Sequence, residues 1–292
     1  MSGASGPRKL LHTRRGMFRK RIFSSLVWVL FCALVIFRFP SWAFRLVVTA
    51  IVGLGLFEFY SLGEQKGYRV GKFFSTAMGM LVPLLAHHPA PGPQVIALHT
   101  FLVVLFFLGL FGYQFAKREN PGSLAGLSLA IAGIVYVAVL FSFSIPLHNG
   151  SPGAVAFLVL VVKGGDIGAY IVGSTVGKHP LIPRISPSKT VEGTVGGLGV
   201  SVAVAFAAMP LLALYPRGTA SFLPALLLGL LLGGVGLFGD LAESLIKRDC
   251  NVKDSRKFIP GMGGVLDVID SLLFAAPLFY AWWIMVTRSM VS

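Results

Sequence analysis

The side chains that could do chemistry fall in a few short segments of this sequence. In residues 239–248, Asp240, Ser244 and Lys247 stand at i, i+4 and i+7, which places them on one face of a helix. A carboxylate, a hydroxyl and an ammonium on one face suit a metal-bound phosphate. The acid would hold the cation, while the other two groups would hold phosphate oxygens. A solvated helix end carries the same residue types. In residues 261–271, Asp267 and Asp270 stand at i and i+3 behind a Gly263-Gly264 turn. Such a pair is a seat for Mg²⁺, which takes one or two carboxylates and completes its shell with substrate phosphates. The helix dipole would also favour acids at that position, but it does not explain the glycine turn.

Two further segments add charge. Lys163 and Asp166 lie at i and i+3 inside an apolar run, where they can pair within the membrane or face a polar cavity. The stretch 173–193 is dense in phosphate-friendly groups: Lys178, Arg184, Ser186, Lys189 and Thr190. It is not a Walker loop, because the glycine spacing is one residue short and His179 replaces the Ser/Thr. Lys247, Arg248, Lys253, Arg256 and Lys257 crowd between the two acidic segments. They read either as an ordinary cytoplasmic loop or as a clamp for a polyphosphate or an anionic lipid head group.

The elements that must position these groups are membrane helices. Of the 292 residues, 55% are hydrophobic and 12% are charged, about half the ~25% usual for soluble domains. That composition excludes a disordered chain and argues against a soluble globular domain, whose surface so few polar residues would not cover. Two cysteines, Cys32 and Cys250, give no disulfide framework, and the six histidines show no zinc spacing. Apolar runs suggest nine spans at about 22–37, 43–62, 73–86, 95–115, 123–145, 153–173, 194–214, 222–246 and 266–286. The first and third are short for a ~30 Å hydrocarbon core. The expected fold is therefore an all-α, polytopic integral membrane protein of about nine transmembrane helices, with a polar active-site cavity facing the cytoplasm.

Charge placement sets the orientation. With the N-terminus inside, the inside segments hold 20 of the 25 Lys/Arg, seven of them in the first 21 residues. The basic tail thus reads as a cytoplasmic anchor flank and not as a nucleic-acid site. Arg14-Arg15 faintly resembles a twin-arginine export signal, but no small-residue cleavage site comes after it. Eight of the 11 Asp/Glu lie beyond residue 165. The chain accordingly divides into a basic tail (1–21), an N-terminal scaffold of about five helices (22–150) and a C-terminal catalytic region of about four (151–292).

Taken together, the motifs closely resemble those of the phosphatidate cytidylyltransferase (CDP-diacylglycerol synthase) family. The family's S-x-x-K-R stands here as Ser244 to Lys247-Arg248, its K-D as Lys253-Asp254, and its P-G-H-G-G-x-x-D-R-x-D as Pro260 through Asp267 and Asp270. Its D-x-x-A-Y…G-K…I-S-P-x-K-T-x-E-G loop stands as Asp166, Ala169-Tyr170, Gly177-Lys178, Ile185-Ser186-Pro187, Lys189-Thr190 and Glu192-Gly193. The motif-bearing part covers about residues 160–285. Met262 and Val268 replace the usual His and Arg, removing one imidazole and one permanent cation; Lys163, one turn before Asp166, could return a charge.

The resemblance implies transfer of CMP from CTP to phosphatidic acid, giving CDP-diacylglycerol and pyrophosphate in phospholipid biosynthesis. It implies Mg²⁺ dependence, with a second cation such as K⁺ left open, a homodimer and no nucleic acid. The location would be the inner (plasma) membrane, with the N-terminus and the active site cytoplasmic. Asp240, Asp267 and Asp270 would bind the metal, and Ser244 and Lys247 would complete the catalytic set. Lys178, Ser186, Lys189, Thr190, Glu192, Arg248, Lys253 and Asp254 would hold the nucleotide or phosphate, with Lys163 and Asp166 as a charge pair in the cavity. The competing expectations are a CTP-dependent polyprenol or dolichol kinase, or another CDP-lipid synthase. A transporter would need matched acids in both halves, which this sequence lacks.

Overall fold

The computed structural model describes residues 29–85, 93–116, 122–212, 222–252 and 263–289. Apolar runs with no water to bond their backbone become helices, because only a helix satisfies its own N–H and C=O groups in hydrocarbon. Six helices are long and apolar enough to cross a membrane: α2 (Ser41–Gln65), α5 (Ser123–Gly150), α6 (Pro152–Val176), α7 (Val191–Leu212), α8 (Phe222–Asp249) and α9 (Val265–Arg288). The other expected spans are shorter apolar helices among the described residues: α1 (Val29–Arg38), α3 (Lys72–Leu85) and, over Thr100–Phe115, α4 (Pro93–Phe115). Against the nine spans expected, the described residues thus hold six helices of spanning length and three shorter ones. Proline explains some of the breaks. Pro152 opens α6, and Pro83 lies in the last turn of α3.

The described residues are mostly helical, as expected, with one short exception. Between α6 and α7 the chain forms an antiparallel hairpin, β1 (Pro180–Ile182) and β2 (Ser186–Thr190), pairing Pro180 with Thr190 and Ile182 with Ser186. Pro180, Pro183 and Pro187 forbid a helix here, and Pro183 comes after Ile182 in the turn closed by the Ile185 N–H to Ile182 O bond at 3.0 Å. Val191 N–H donates to His179 O at 2.8 Å, and the Thr190 hydroxyl caps α7 by accepting from Gly193 N–H at 3.1 Å. The hairpin is therefore fixed at both ends rather than hanging from the bundle.

The core runs through both halves of the chain. Tyr60, Phe157 and Phe279 are its largest fully buried side chains, and the rings of Phe157 and Phe279 stack 5.4 Å apart. α2 is the most enclosed of the six long helices. It is a central element, and its last turns reach the same rim as the end of α8, where Lys66 pairs with Asp249. That pair is exposed and contributes little to stability.

α8 and α9 meet at Gly239. A methyl group there would strike the carbonyl oxygen of Asp270, so only glycine lets the two backbones come this close. Asp240 and Asp270, one on each helix, are thereby brought to the same level of the bundle. Asp240 lies nine residues before the end of α8, about 14 Å inside the rim at 1.5 Å per residue.

Candidate functional site

Three lysines and five carboxyl groups gather where the hairpin, α6, α8 and α9 converge. Lys189 comes from β2 and pairs with Asp240 of α8, Nζ to Oδ2 at 2.6 Å. Lys247, one turn past Glu243, lies between two acids: Glu243 Oε2 at 2.5 Å and Asp267 Oδ1 at 2.6 Å. Lys163 donates to Ser271 Oγ at 2.6 Å and to Asp166 Oδ2 at 3.1 Å, with Asp270 Oδ1 at 3.9 Å. Ser271 in turn donates to Asp166 Oδ2 at 3.1 Å. The pairing of Lys163 with Asp166, expected from their spacing, is present and forms part of a four-residue network.

A cavity of about 430 Å³ opens beside these groups, lined on its polar side by Asp166, Ser174, Ser188, Lys189, Thr194 and Asp240. Glycines of α6 and α7 form much of the remaining wall. The cavity thus sets two carboxylates, Asp166 and Asp240, beside Lys189 of the hairpin, and its volume suits a small ligand.

The expected metal trio is divided in this arrangement. Among the described residues no three His, Cys, Asp or Glu side chains come together as a ready metal group. Asp240 faces Lys189, Asp267 faces Lys247, and Asp270 lies near Lys163. Asp267 is engaged at both oxygens, since its Oδ2 accepts from Gly264 N–H at 2.7 Å. It therefore caps its own helix as well as pairing with a lysine. The donor set still fits a hard divalent cation. Asp240 and Asp270 are oxygen donors on helices in backbone contact, and five carboxyl groups face only three ammonium groups, leaving a formal excess of negative charge.

The other expected residues fall into separate places. The Ser244 hydroxyl is 3.5 Å from Asp240 Oδ1, one turn along α8. Thr190 and Lys189 line the cavity, whereas Ser186 is buried within the hairpin. Glu192 organises the loop: it accepts from Lys178 N–H at 3.0 Å, His179 N–H at 3.2 Å and the His179 ring at 2.5 Å. The Lys178 side chain is exposed. Arg248 donates through Nε to Ile185 O at 3.2 Å, tying the hairpin turn to the end of α8. Lys253, Asp254 and Met262 lie outside the described residues.

Sequence reasoning missed four participants. Glu243 is fully buried beside Lys247, and Ser271 is fully buried between Lys163 and Asp166. Tyr136, in a π-helical stretch of α5 (Ile134–Val139), has a buried hydroxyl without a hydrogen-bond partner, within electrostatic reach of Asp240, Glu243 and Asp270. Glu58 of α2 accepts from the first amides of α9. Only Ser271 and Glu243 carried a local signal, as neighbours of residues already singled out.

Gly263 shows how tightly the acids are set. Its φ is +92°, and a Cβ there would lie 2.5 Å from Asp267 Oδ2. Gly263→Ala is expected to displace Asp267 and strain the turn, with a loss of about 1–3 kcal/mol in stability. Thermal unfolding in detergent checks this; an unchanged melting temperature would refute the constraint.

A model of the cytidylyltransferase family matches residues 19–286. Phosphatidate cytidylyltransferase of Staphylococcus aureus (strain COL) is 35% identical over 225 residues, covering 75% of this chain and 83% of that protein. Phosphatidate cytidylyltransferase of Haemophilus influenzae is 29% identical over 280 residues, 90% of this chain and 97% of its own length. Uncharacterized protein YnbB of Escherichia coli (strain K12) is 37% identical over 199 residues, 64% of this chain and 65% of that protein.

Proposed function

This chain belongs to the cytidylyltransferase family, and from that premise we propose that it transfers CMP from CTP to phosphatidic acid, releasing pyrophosphate and forming CDP-diacylglycerol for phospholipid biosynthesis. The chain is a nucleotidyltransferase, and the reading of donor and acceptor draws on the names of its relatives. The observation that carries the reading at the site is the Lys189–Asp240 pair on the wall of the cavity, with Asp166 beside it.

The chemistry asks for little acid–base work. A phosphate oxygen of phosphatidic acid, already an anion, attacks the α-phosphorus of CTP. The bond from that phosphorus to the bridging oxygen breaks, and pyrophosphate leaves with the electron pair. The main barrier is crowded negative charge and alignment of the two phosphates. Lys189, from the hairpin, is placed to exchange Asp240 for an oxygen of the triphosphate. Lys163 and Lys247 are placed to do the same from the other two clusters. Each exchange would release a carboxylate, so the lysines hold the acids in position until substrate arrives. Mg²⁺, bound by Asp240 and Asp270, would supply further neutralisation of phosphate charge. Ser244 is one turn from Asp240 and would donate to a phosphate oxygen.

The site would open toward the rim where α8 ends, which carries Lys247 and Arg248. The positive-inside distribution of the sequence supports a cytoplasmic face for that rim, in the inner membrane. A homodimer would match the family pattern.

A product assay tests the reading. The detergent-purified chain receives Mg²⁺, phosphatidic acid and CTP labelled at either the α or the γ phosphorus. The α-label is expected in the lipid phase, with pyrophosphate in the water phase. Transfer of the γ-label to a polyprenol would make it a kinase instead, and absence of lipid label with either acceptor would reject the proposal.

A further inference from the structure

Glu58 is one of only three acids in the first 165 residues, and it is 2% exposed within α2. Its two oxygens accept from consecutive amides at the start of α9: Oε1 from Val265 N–H at 2.9 Å and Oε2 from Leu266 N–H at 2.8 Å. A helix begins with amides that have no partner in the helix itself. Here Gly263 and Gly264 precede α9, and neither has a side chain to cap it. Asp267 takes the Gly264 amide, and the next two go to Glu58, some 207 residues away in sequence. The charge of Glu58 is thereby offset by two charge-assisted hydrogen bonds and the positive end of the helix dipole.

This anchorage bears directly on the acids of α9. Asp267 is one residue beyond Leu266, and Asp270 is one turn further. Any tilt or fraying of this first turn moves both acids against Lys247, Asp240 and Lys163. Side-chain packing supports the same junction, since a methyl on Gly55 of α2 would touch Ile269 Cδ1 of α9 at 3.4 Å. Displacements of about 1 Å can cost on the order of 100-fold in rate.

We propose that Glu58 is a positioning residue that holds the first turn of α9 and so sets Asp270 for metal binding and Asp267 for its pairing with Lys247. The proposal rests on the cytidylyltransferase reading for its turnover test, but its geometric part does not. It assigns part of the active site to the N-terminal half, which by sequence is a scaffold.

Glu58→Gln in the full-length chain is the test, because the amide has one oxygen to accept with and turns an N–H donor toward a second N–H donor. The reconstituted variant is expected to lose about 10–100-fold in kcat or in apparent Mg²⁺ affinity, the range seen when an outer partner of a metal ligand is removed. KM for phosphatidic acid should change little. Ser61→Ala, which removes only a bond to Phe57 O within α2, should leave both unchanged. Two readings do not need turnover. Hydrogen exchange of the peptide holding residues 264–267 should quicken in Glu58→Gln, and Mn²⁺ binding monitored by electron paramagnetic resonance should weaken. Faster exchange with unaltered Mn²⁺ binding would make Glu58 a structural cap and overturn the proposal, as would unaltered exchange. Should the glutamine variant not fold, Glu58→Asp retains the charge on a shorter arm, and a wild-type Mn²⁺ affinity alongside faster exchange would overturn the proposal equally. A wild-type chain that binds Mn²⁺ but transfers no cytidylyl group would reject the activity and leave the positioning role standing.

Discussion

Asp270→Asn is expected to lower cytidylyl transfer by at least on the order of 10²–10³-fold, the loss typical of removing one preorganised charge-stabilising group, while the protein remains folded. Asn has nearly the shape of Asp, so the cost is electrostatic and not steric. Asp270 is 5% exposed, and its Oδ1 accepts from Ser271 N–H at 2.5 Å. An amide oxygen can keep that bond. What disappears is the negative charge that, with Asp240 across the Gly239 contact, would hold a divalent cation. Folding should survive because Lys163 retains Asp166 and Ser271 as partners at 3.1 Å and 2.6 Å. The measurement is α-label transfer at saturating CTP, alongside thermal unfolding of the same preparation. Asp249→Asn provides the comparison: it removes an acid from the exposed pair with Lys66 and should leave turnover within about twofold, as expected of a surface ion pair. A fully active Asp270→Asn would remove Asp270 from the metal set and leave Asp240 without its partner across the helix contact.

Much of this site was legible because helices translate spacing into shared faces. Asp240, Ser244 and Lys247 do succeed one another along α8, and Lys163 does pair with Asp166 three residues on. The acids also lie on the long helices that the apolar runs suggested. Periodicity does not say which partner a carboxylate meets. Asp267 and Asp270, spaced for one face, part company because the Gly264 amide and Lys247 hold the first while Ser271 and Lys163 surround the second. The hairpin was not legible either, since its strands are three and five residues long and rich in proline, with no alternation to mark them. Its effect is large, because it carries Lys189 to Asp240, 51 positions along the chain. Glu58 lies furthest from local inference. Nothing around it in sequence distinguishes a buried acid that caps a remote helix from one facing a channel or pairing with a lysine.

Lys247 separates structural from chemical roles more sharply than any other residue here. Its amine lies between Glu243, whose side chain is 1% exposed, and Asp267. Lys247→Met would leave both carboxyl groups without their cation, and breaking a buried pair by removing one partner typically destabilises by about 3–5 kcal/mol. A melting temperature several degrees lower is therefore expected, with activity reduced beyond what the folded fraction explains. The single variant cannot apportion the two effects, but a second substitution can. In Lys247→Met/Glu243→Met the buried acid is removed along with its partner, and apolar pairs commonly replace ionic ones without loss of stability. The double variant should recover most of the melting temperature. Its turnover should stay on the order of 100-fold below wild type, because the cation proposed to bind phosphate is still missing. Recovery of both properties together would mean that Lys247 serves only to neutralise Glu243 and Asp267. Recovery of stability alone would place its ammonium among the groups that act on the phosphates.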